Sequence, residues 1–320
     1  MKAFVTGGSG HIGYHLVRDL LDKGYLVRCL HHSKTDNFKD LNVEIVLGDL
    51  LSIESMYSLM KDVDVVFHLA AVVSYEDKDQ EQMNKINVEG TKAIALAAKK
   101  ANIKKFIHFS SIHVFAHTNN YQILDEKNPL TSAQIDPMID SYTLSKVEAH
   151  KFMLDQAKNG QDVSIIIPTA VIGPHPTLGT INNIIKRFSK KKVCLLVDGG
   201  FNWVDARDVS KAAIACVEKG NPGGQYIIAG SHHSIKNIVK IVQKLLMTRI
   251  ITFITPIWIV KLLIPLLYLI PVLIKGKIIN KYSLRNLCNA PMKISDKLAR
   301  EQLDHNPRPF IETIKDILEL

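Results

Sequence analysis

Tyr142 and Lys146 lie four residues apart, a spacing that could support proton transfer. Side chains at this spacing share one face of a helix. A free tyrosine titrates at about pH 10, and a neighbouring cation stabilises the phenolate and lowers its pKa. The pair can therefore give a proton to a carbonyl oxygen during reduction, or take one from an alcohol during oxidation.

A serine hydroxyl could complete such a site. Ser110 and Ser111 follow the apolar run Phe106–Phe109, which has the pattern of a buried strand. Ligands of parallel sheets bind beyond the carboxyl ends of the strands. A hydroxyl at this place can hydrogen-bond a substrate oxygen as charge develops, although serine also often caps a turn. The order serine, tyrosine, lysine favours a carbonyl or alcohol substrate.

A glycine-rich loop precedes these residues, with Gly7, Gly10 and Gly13 placed between the first predicted strand and the first predicted helix. Glycine lets the backbone turn sharply and approach a pyrophosphate without a Cβ in the way. The helix then offers free N–H groups and its positive dipole end to the phosphates. An ordinary turn can have the same composition, but the strand–loop–helix context favours a dinucleotide site.

The end of the second predicted strand, Tyr25–Leu30, indicates which dinucleotide binds. An acid there would bind the ribose 2′-hydroxyl of NAD, whereas a basic residue would favour the 2′-phosphate of NADP. The chain is basic from Arg28 to Lys34 and has no acid before Asp36. We therefore expect NADP(H), with NAD(H) as the alternative, and expect His32 near the cofactor unless it is an ordinary loop residue. No metal-ligand spacing is present, and no metal is expected.

Apolar runs alternate with helical patterns through the first half of the chain. Runs rich in Val and Ile are typical of strands buried on both faces, so we predict an α/β fold with a doubly wound parallel sheet, the Rossmann fold. The predicted strands are Ala3–Val5, Tyr25–Leu30, Val43–Leu47, Val65–Leu69, Phe106–Phe109 and Val163–Ile167. The predicted helices are Ile12–Leu21, Ile86–Lys100 and Tyr142–Lys158.

The chain changes character after Pro168. We predict a dinucleotide-binding domain over residues 1–170 and a smaller, mostly helical C-terminal substrate lobe over residues 171–320. Within that lobe, residues 193–229 are expected to return to the Rossmann sheet. The elements predicted there are the helix Ile181–Phe188, the strand Val193–Val197, the helix Val209–Glu218 and the strand Tyr226–Ile228.

The composition excludes several classes of protein. Hydrophobic residues make up 47% and charged residues 22% of the chain, which is ordinary for a globular protein and argues against disorder. The four cysteines form no C-x-x-C pair, and a reducing compartment fits them. The first residues run from a strand into glycines without the apolar region of a signal peptide, so a cytoplasmic location is expected.

The net charge of +9 is concentrated near the C-terminus, where residues 231–320 hold 14 Lys/Arg and 6 Asp/Glu. The basicity is therefore local, and no nucleic-acid partner is expected. Between Glu218 and Asp296 there is no acidic residue at all.

The most apolar stretch of the chain, Ile250–Ile274, lies inside that acid-free region. About 20 apolar residues can span a bilayer, but three prolines and the central Lys261 argue against a spanning helix. We expect a pair of short helices covering the substrate pocket. The alternative is peripheral membrane contact through residues 250–285, where cations beside apolar surface attract anionic headgroups. Both roles would suit a lipid or terpenoid substrate.

Taken together, the motifs resemble those of the extended short-chain dehydrogenase/reductases, the group that includes the NAD-dependent epimerase/dehydratases. The similarity covers essentially the whole chain. The matching segments are Thr6–Gly13, Gly48–Leu50, His68–Ala71, Asn87–Thr91, Phe109–Ser111, Tyr142–Lys146 and Pro168–Pro174.

The resemblance implies that Ser111, Tyr142 and Lys146 are the catalytic residues, with Ser111 a better match than Ser110. It implies that Asp49 and Leu50 flank the adenine, and that Asn87 organises the site. The expected cofactor contacts are Gly7, Gly10, His11, Ile12, Gly13, His32, Asp49, Leu50, Ala70, Ala71, Asn87, Tyr142, Lys146 and Pro168. His113 departs from the family pattern, and it either reaches the substrate or packs.

Two segments, Asn202–Val209 and Gln225–Gly230, look most like the dihydroflavonol reductase and 3β-hydroxysteroid dehydrogenase branch. The resemblance implies hydride transfer between the cofactor and a ketone, aldehyde or alcohol on a rather apolar small molecule. A nucleotide-sugar epimerase or dehydratase is the alternative, with Arg207 and the lysines of the lobe as candidate phosphate contacts. A non-catalytic cofactor-binding protein is a third interpretation, which the complete Ser/Tyr/Lys set argues against. A homodimer is a further expectation.

Overall fold

The structure is a computed structural model of the 320-residue chain. It describes residues 1–31, 38–74, 76–116, 123–175, 180–189, 193–197, 199–256, 258–259, 262, 285–287 and 290–320.

The described residues form strands and helices in alternation over the first half of the chain. The strands are β1 (Lys2–Thr6), β2 (Leu26–His31), β3 (Val43–Leu47), β4 (Val65–His68), β5 (Lys105–Phe109), β6 (Ile123–Leu124), β7 (Val163–Pro168), β8 (Ala170–Ile172), β9 (Val193–Val197), β10 (Gly200–Asp205), β11 (Gln225–Ile228), β12 (Ser231–Ser234), β13 (Ile251–Thr255) and β14 (Lys293–Ile294). The helices are α1 (His11–Asp22), α2 (Ile53–Met60), α3 (Gln80–Met83), α4 (Thr91–Lys100), α5 (Ser141–Lys158), α6 (Thr180–Ser189), α7 (Ala206–Lys219), α8 (Ile235–Leu246), α9 (Lys297–Leu303) and α10 (Phe310–Leu318).

Seven parallel strands make up the central sheet, in the order β11-β7-β5-β4-β1-β2-β3. The inner strands β4, β5 and β7 are buried along their whole length, which fits the Val and Ile residues of β4 and β7 and the Phe residues of β5. One core packs α1 and α7 against one face, and a second packs α2, α4 and α5 against the other. The predicted doubly wound Rossmann fold is confirmed.

The strand Val193–Val197 forms as predicted but does not return to the central sheet. It pairs with Ile251–Thr255 in a separate two-stranded parallel sheet, whereas Gln225–Ile228 does join the central sheet beside β7. The Val193 side chain is half exposed, which does not fit a strand of the buried central sheet. The division into domains at residue 170 stays a prediction.

A three-stranded sheet, ordered β12-β10-β8, was not predicted from the sequence. It packs with α6, α8 and α10 around Trp203, so the C-terminal part combines helices with small sheets. The short strand Ala170–Ile172 was not predicted because only Thr169 separates it from β7, so no loop marks the change of sheet.

The predicted helix Ile86–Lys100 begins earlier, at Gln80, and contains a π-helical turn at Asn84–Gly90. Gly90, the last residue of this turn, lies close to Leu50, since a Cβ at Gly90 would lie 2.8 Å from Leu50 Cδ2. Such π turns occur frequently at functional sites.

The predicted pair of short helices in the apolar stretch is wrong at its start, where Ile251–Thr255 forms β13. Its β-branched residues and phenylalanine favour a strand. Most of the remaining stretch lies outside the described residues, as do Lys190–Lys192. Among the residues that the structure describes, no helix is long and apolar enough to cross a membrane.

Candidate active site

Helix α5 presents Tyr142 and Lys146 in its first two turns, next to the end of β5. Asp140 begins the helix by accepting a hydrogen bond from the Thr143 N–H at 2.8 Å, a standard N-cap. The four-residue spacing then directs the phenol and the ammonium to the same side of the helix. Ser111 is the second residue after β5 and caps the short 3₁₀ turn Ile112–Val114.

The structure brings the three predicted catalytic side chains together. Lys146 Nζ donates to the Phe109 carbonyl at 2.8 Å, which attaches the helix to the end of β5. The Ser111 hydroxyl hydrogen-bonds the Tyr142 phenol. Each of the three residues is less than a tenth exposed, so the group lies in a dry environment where hydrogen bonds are strong.

Burial controls the titration of this group. It raises the pKa of Tyr142 to about 12, against a smaller lowering by the Ser111 hydrogen bond. It also lowers the pKa of Lys146 to about 8, because a charged ammonium is costly away from water. Burial is the dominant influence on the pKa of the phenol, and the lowering expected from Lys146 stays a prediction. The phenol is protonated at neutral pH, so it holds the proton that reduction of a carbonyl needs.

Ser110 has a different task from Ser111. Its hydroxyl lies 2.8 Å from His150 Nδ1, and His150 Nε2 lies 2.8 Å from the Gln225 Oε1. Because the amide oxygen only accepts, His150 donates from Nε2 and Ser110 donates to Nδ1. Burial lowers the pKa of His150 to about 4, so the ring is neutral. Ser110 thus ties β5 to α5 and β11, and the choice of Ser111 fits this geometry.

The glycine loop has the geometry of a phosphate cradle. Gly7 has φ of +71°, and a Cβ there would lie 2.7 Å from the Ala70 nitrogen. A Cβ at Gly13 would lie 2.2 Å from the Gly7 oxygen, so only glycine lets α1 start so close to the loop. Gly10 caps α1 without a side chain, and the first turn holds no acid. These residues fit the pyrophosphate of a dinucleotide.

The His11 side chain turns away from the loop. Its Nε2 lies 2.9 Å from the Gly173 oxygen, so the ring holds the segment after β8. Burial lowers the pKa of His11. Its backbone N–H, rather than its ring, lies in the first turn of α1, and Ile12 packs against the core below.

The basic residues near the end of β2 are not equivalent. Arg28 is engaged by Glu44 at 2.8 Å and Asp62 at 2.6 Å, so its guanidinium is used within the sheet edge. His32 and Lys34, which carried the cofactor preference, lie outside the described residues.

The remaining predicted cofactor positions lie around the carboxyl edge of the sheet. Asp49 is exposed after β3 and accepts from the Leu51 N–H at 3.0 Å, while Leu50 packs against the π turn. The Ala70 N–H donates to Thr6 Oγ1 at 3.2 Å, and Ala71 follows it in the chain. Pro168 ends β7 opposite Ile228. Their contacts with a cofactor stay predictions.

Asn87 uses its amide inside the protein. Its Oδ1 accepts from the Val72 N–H at 2.7 Å, and its Nδ2 donates to the Val72 carbonyl and to Ser145 Oγ, each at 2.9 Å. Asn87 therefore holds the loop after β4 against the catalytic helix. Ser145 was not singled out from the sequence, although its place between Tyr142 and Lys146 was a signal.

His113 lies at the site. Its ring meets the Tyr142 ring edge to face, with centroids 6.4 Å apart. Either role expected for it, packing or substrate contact, fits this position.

The family follows from comparison with known proteins. The model described as "NAD dependent epimerase/dehydratase family" matches residues 3–229. The chain belongs to the NAD-dependent epimerase/dehydratase family. With its relatives, this makes it an NAD(P)-dependent oxidoreductase of the extended short-chain dehydrogenase/reductase type.

Two curated relatives of this family member cover most of the chain. A Synechocystis sp. protein provisionally named dihydroflavonol 4-reductase is 33% identical over 74% of this chain and 70% of its own. Sterol demethylase protein B of Methylococcus capsulatus is 31% identical over 77% of this chain and 74% of its own. Among solved structures, that of gox2253 superposes with a TM-score of 0.84 at 25% identity and covers 99% of this chain and 96% of that one.

Proposed function

We propose that Ser111, Tyr142 and Lys146 carry out carbonyl reduction, and the reverse oxidation, on an apolar substrate. The observation that carries the proposal is their convergence at the end of β5, in a chain whose glycine loop has no room for a Cβ at Gly7 or Gly13. The nicotinamide, when bound, supplies a hydride from C4 to the carbonyl carbon. The carbonyl becomes an alcohol once a proton reaches its oxygen.

Tyr142 is the proton donor in this proposal. Its raised pKa keeps the phenol protonated at neutral pH, and its hydroxyl is already oriented by Ser111. Ser111 can hydrogen-bond the same substrate oxygen while negative charge builds there. Lys146 places a positive charge close to the phenolate that remains and stabilises it until a proton returns.

The proposed substrate class rests on the names of the relatives and on the ion pairs of Arg207. Flavonoid and sterol are the substrate types in the names of the two curated relatives, and both are ring systems of low polarity. The nucleotide-sugar alternative needs cations for a diphosphate. Arg207, its leading candidate, is paired with Asp205 at 2.8 Å and Asp316 at 2.6 Å. A fused-ring ketone therefore fits better than a nucleotide sugar.

The experiment is a substrate panel with reduced cofactor. Sterol, flavonoid and terpenoid ketones are compared with UDP-sugars, following cofactor oxidation and product by mass spectrometry. We expect net cofactor oxidation with at least one apolar ketone. Interconversion of UDP-sugars without net cofactor oxidation, and no turnover of the ketones, would overturn the proposal.

NADP(H) is the cofactor we propose. The support is the absence of an acid between Arg28 and Asp36 in the sequence. We expect a higher kcat/KM with NADPH than with NADH, and Lys34→Glu should reverse the order. Equal or better use of NADH by the wild type would contradict this preference.

Peripheral contact with a membrane is also part of the proposal, through residues 250–285. In the described portion, Phe253 and Trp258 are 60% and 67% exposed, and the exposed cation Arg249 lies nearby in the chain. Apolar rings beside cations suit an anionic lipid surface. A homodimer is proposed as well, and its test is the mass in solution by light scattering.

A further inference from the structure

A chain of side-chain hydrogen bonds runs beneath the site, from the glycine loop to the backbone of Tyr142. Thr6 Oγ1 lies 2.7 Å from His68 Nδ1, and His68 Nε2 lies 2.9 Å from Thr91 Oγ1. Thr91 Oγ1 donates to the Asn87 carbonyl at 2.7 Å. Asn87 Nδ2 donates to Ser145 Oγ at 2.9 Å, and Ser145 Oγ donates to the Tyr142 carbonyl at 2.7 Å. We call these five side chains the buried hydrogen-bond chain.

One proton arrangement lets every donor in the buried hydrogen-bond chain find an acceptor. In it, the Thr6 hydroxyl accepts from the Ala70 N–H and donates its own proton to His68 Nδ1. Burial lowers the pKa of His68 to about 3, so the ring is neutral and its one proton lies on Nε2. Nε2 therefore donates to Thr91, whose proton is used on the Asn87 carbonyl. No hydroxyl in the sequence can reverse without leaving a buried donor unpaired.

The buried hydrogen-bond chain joins strands and helices that would otherwise be independent. Thr6 ends β1 directly before Gly7, His68 ends β4, and Thr91 begins α4 directly after the π turn that contains Asn87. Ser145 lies within α5, one turn from Tyr142. All five residues are at most 5% exposed, so water does not compete for these hydrogen bonds.

We propose that Thr91 and Ser145 are positioning residues, which couple occupancy of the glycine loop to the placement of Tyr142. The inference rests on the proposed function, because it assumes that the glycine loop holds the cofactor and that Tyr142 donates the proton. Closing the loop on a pyrophosphate fixes Thr6, and the buried hydrogen-bond chain transmits that order to the first turn of α5. The π turn is the element that the coupling needs, because it directs the Asn87 carbonyl and amide to two different helices.

The expected loss is large because proton donors tolerate little displacement. An error of about 1 Å in a catalytic group can cost about 100-fold in rate, so a partly loosened α5 turn should cost about 10-fold in kcat. Cofactor affinity should change little, since neither Thr91 nor Ser145 lies in the glycine loop.

The test uses three variants and one control. Thr91→Val keeps the shape but removes the hydroxyl, Ser145→Ala removes the last link, and Thr91→Ser restores the hydroxyl. The control is Ser164→Ala, because Ser164 is also buried and its hydroxyl also donates to a carbonyl, that of Asn221 at 3.0 Å. Ser164 lies near the amino end of β7, whereas the site lies at the carboxyl ends of the strands. Melting temperatures of all four establish that each is folded.

Hydrogen exchange is the decisive measurement. Cofactor binding to the wild type should slow amide exchange in a peptide spanning residues 141–150. Thr91→Val and Ser145→Ala should lose this protection and about 10-fold in kcat, while cofactor Kd changes less than about threefold. Thr91→Ser and Ser164→Ala should behave as wild type. Because the two losses act through one route, the double variant Thr91→Val/Ser145→Ala should lose no more than the worse single variant.

The possible outcomes distinguish a failure of the coupling from a failure of the proposed function. If both variants keep cofactor-induced protection and wild-type kcat, or if Ser164→Ala loses as much as they do, the coupling is refuted while the proposed function stands. If the wild type binds cofactor without protecting residues 141–150, the coupling is again refuted. If the wild type does not bind cofactor at all, the proposed function falls and the coupling with it.

Discussion

The catalytic edge of the central sheet and the β9–β13 pair differ in how their side chains are buried. Around Tyr142 the polar groups are buried and hydrogen-bonded to partners on other elements. On β13, by contrast, Ile251 and Phe253 are about three-fifths exposed and point away from the core. The first region holds polar atoms at fixed distances, and the second leaves apolar side chains exposed. Buried polar contacts and exposed apolar surface thus lie in different parts of the described chain.

The largest expected effect comes from removing the proton donor. Tyr142→Phe should lower kcat by about 100-fold or more, because general acid catalysis is typically worth that much. Steady-state kinetics with an apolar ketone measures kcat, and fluorescence titration should show that the cofactor still binds. Tyr226→Phe is the matched control, since its hydroxyl is buried but bonds Asn221 and Gln302 away from the site. Wild-type turnover in Tyr142→Phe would remove the tyrosine from the mechanism.

A second test distinguishes a steric clash of an added Cβ from the strain of a positive φ alone. Gly7→Ala should weaken cofactor binding by about tenfold or more, because its Cβ would meet the Ala70 backbone and the loop must shift. Gly160→Ala is the control, with φ of +85° but no atom within 4 Å of the added Cβ. It should cost about 1 kcal/mol of stability and leave cofactor Kd unchanged. Equal effects on Kd would mean that the glycine loop does not hold the dinucleotide.

The third prediction is a pH profile. The folded pKa of Lys146 is lowered to about 8, so its positive charge is present below that pH and lost above it. Reduction should therefore slow several-fold as the pH rises through about 8, well before a free lysine would titrate. The profile of kcat measures it. Lys105→Met should keep the profile, because Lys105 is buried and paired with Asp162 far from the phenol. A flat profile from neutral pH to pH 10 would contradict the role of the ammonium.

The smallest effect on kcat is expected from the exposed apolar residues on β13 and just after it. Phe253→Ser with Trp258→Ser should leave kcat on a water-soluble ketone unchanged, yet reduce co-sedimentation with anionic vesicles at low salt. Leu26→Ser controls for exposed apolar area, since Leu26 is 64% exposed on the central sheet. Wild-type protein that stays in the supernatant at low salt would dismiss the membrane contact.

The sequence predicted the central sheet well because its signals are local. Val and Ile runs mark strands that are buried on both faces, and Gly7, Gly10 and Gly13 mark a loop that tolerates no Cβ. The four-residue spacing of Tyr142 and Lys146 needed only helix geometry. The structure places Ser111 at the Tyr142 phenol and Ser110 at His150, and the catalytic role of Ser111 stays a prediction.

What the sequence did not predict depends on contacts that form only in the folded chain. Val193–Val197 reads as a sheet strand, but only its pairing with β13 shows which sheet it joins. The burial that raises the tyrosine pKa was not anticipated, because it depends on how α5 packs against the end of β5. Arg207 was a candidate phosphate contact, but in the fold it pairs with Asp205 and Asp316. Pairing, burial and ion-pair choice are properties of the folded chain.

Isotope transfer tests the central claim most directly. Reduced cofactor carrying deuterium on the transferring face of C4 is incubated with the enzyme and an apolar ketone, and the alcohol is examined by mass spectrometry and NMR. We predict one deuterium on the carbinol carbon, formed by the wild type and about 100-fold more slowly by Tyr142→Phe. An alcohol without deuterium at that carbon, or equal rates for the two proteins, would contradict hydride transfer assisted by Tyr142.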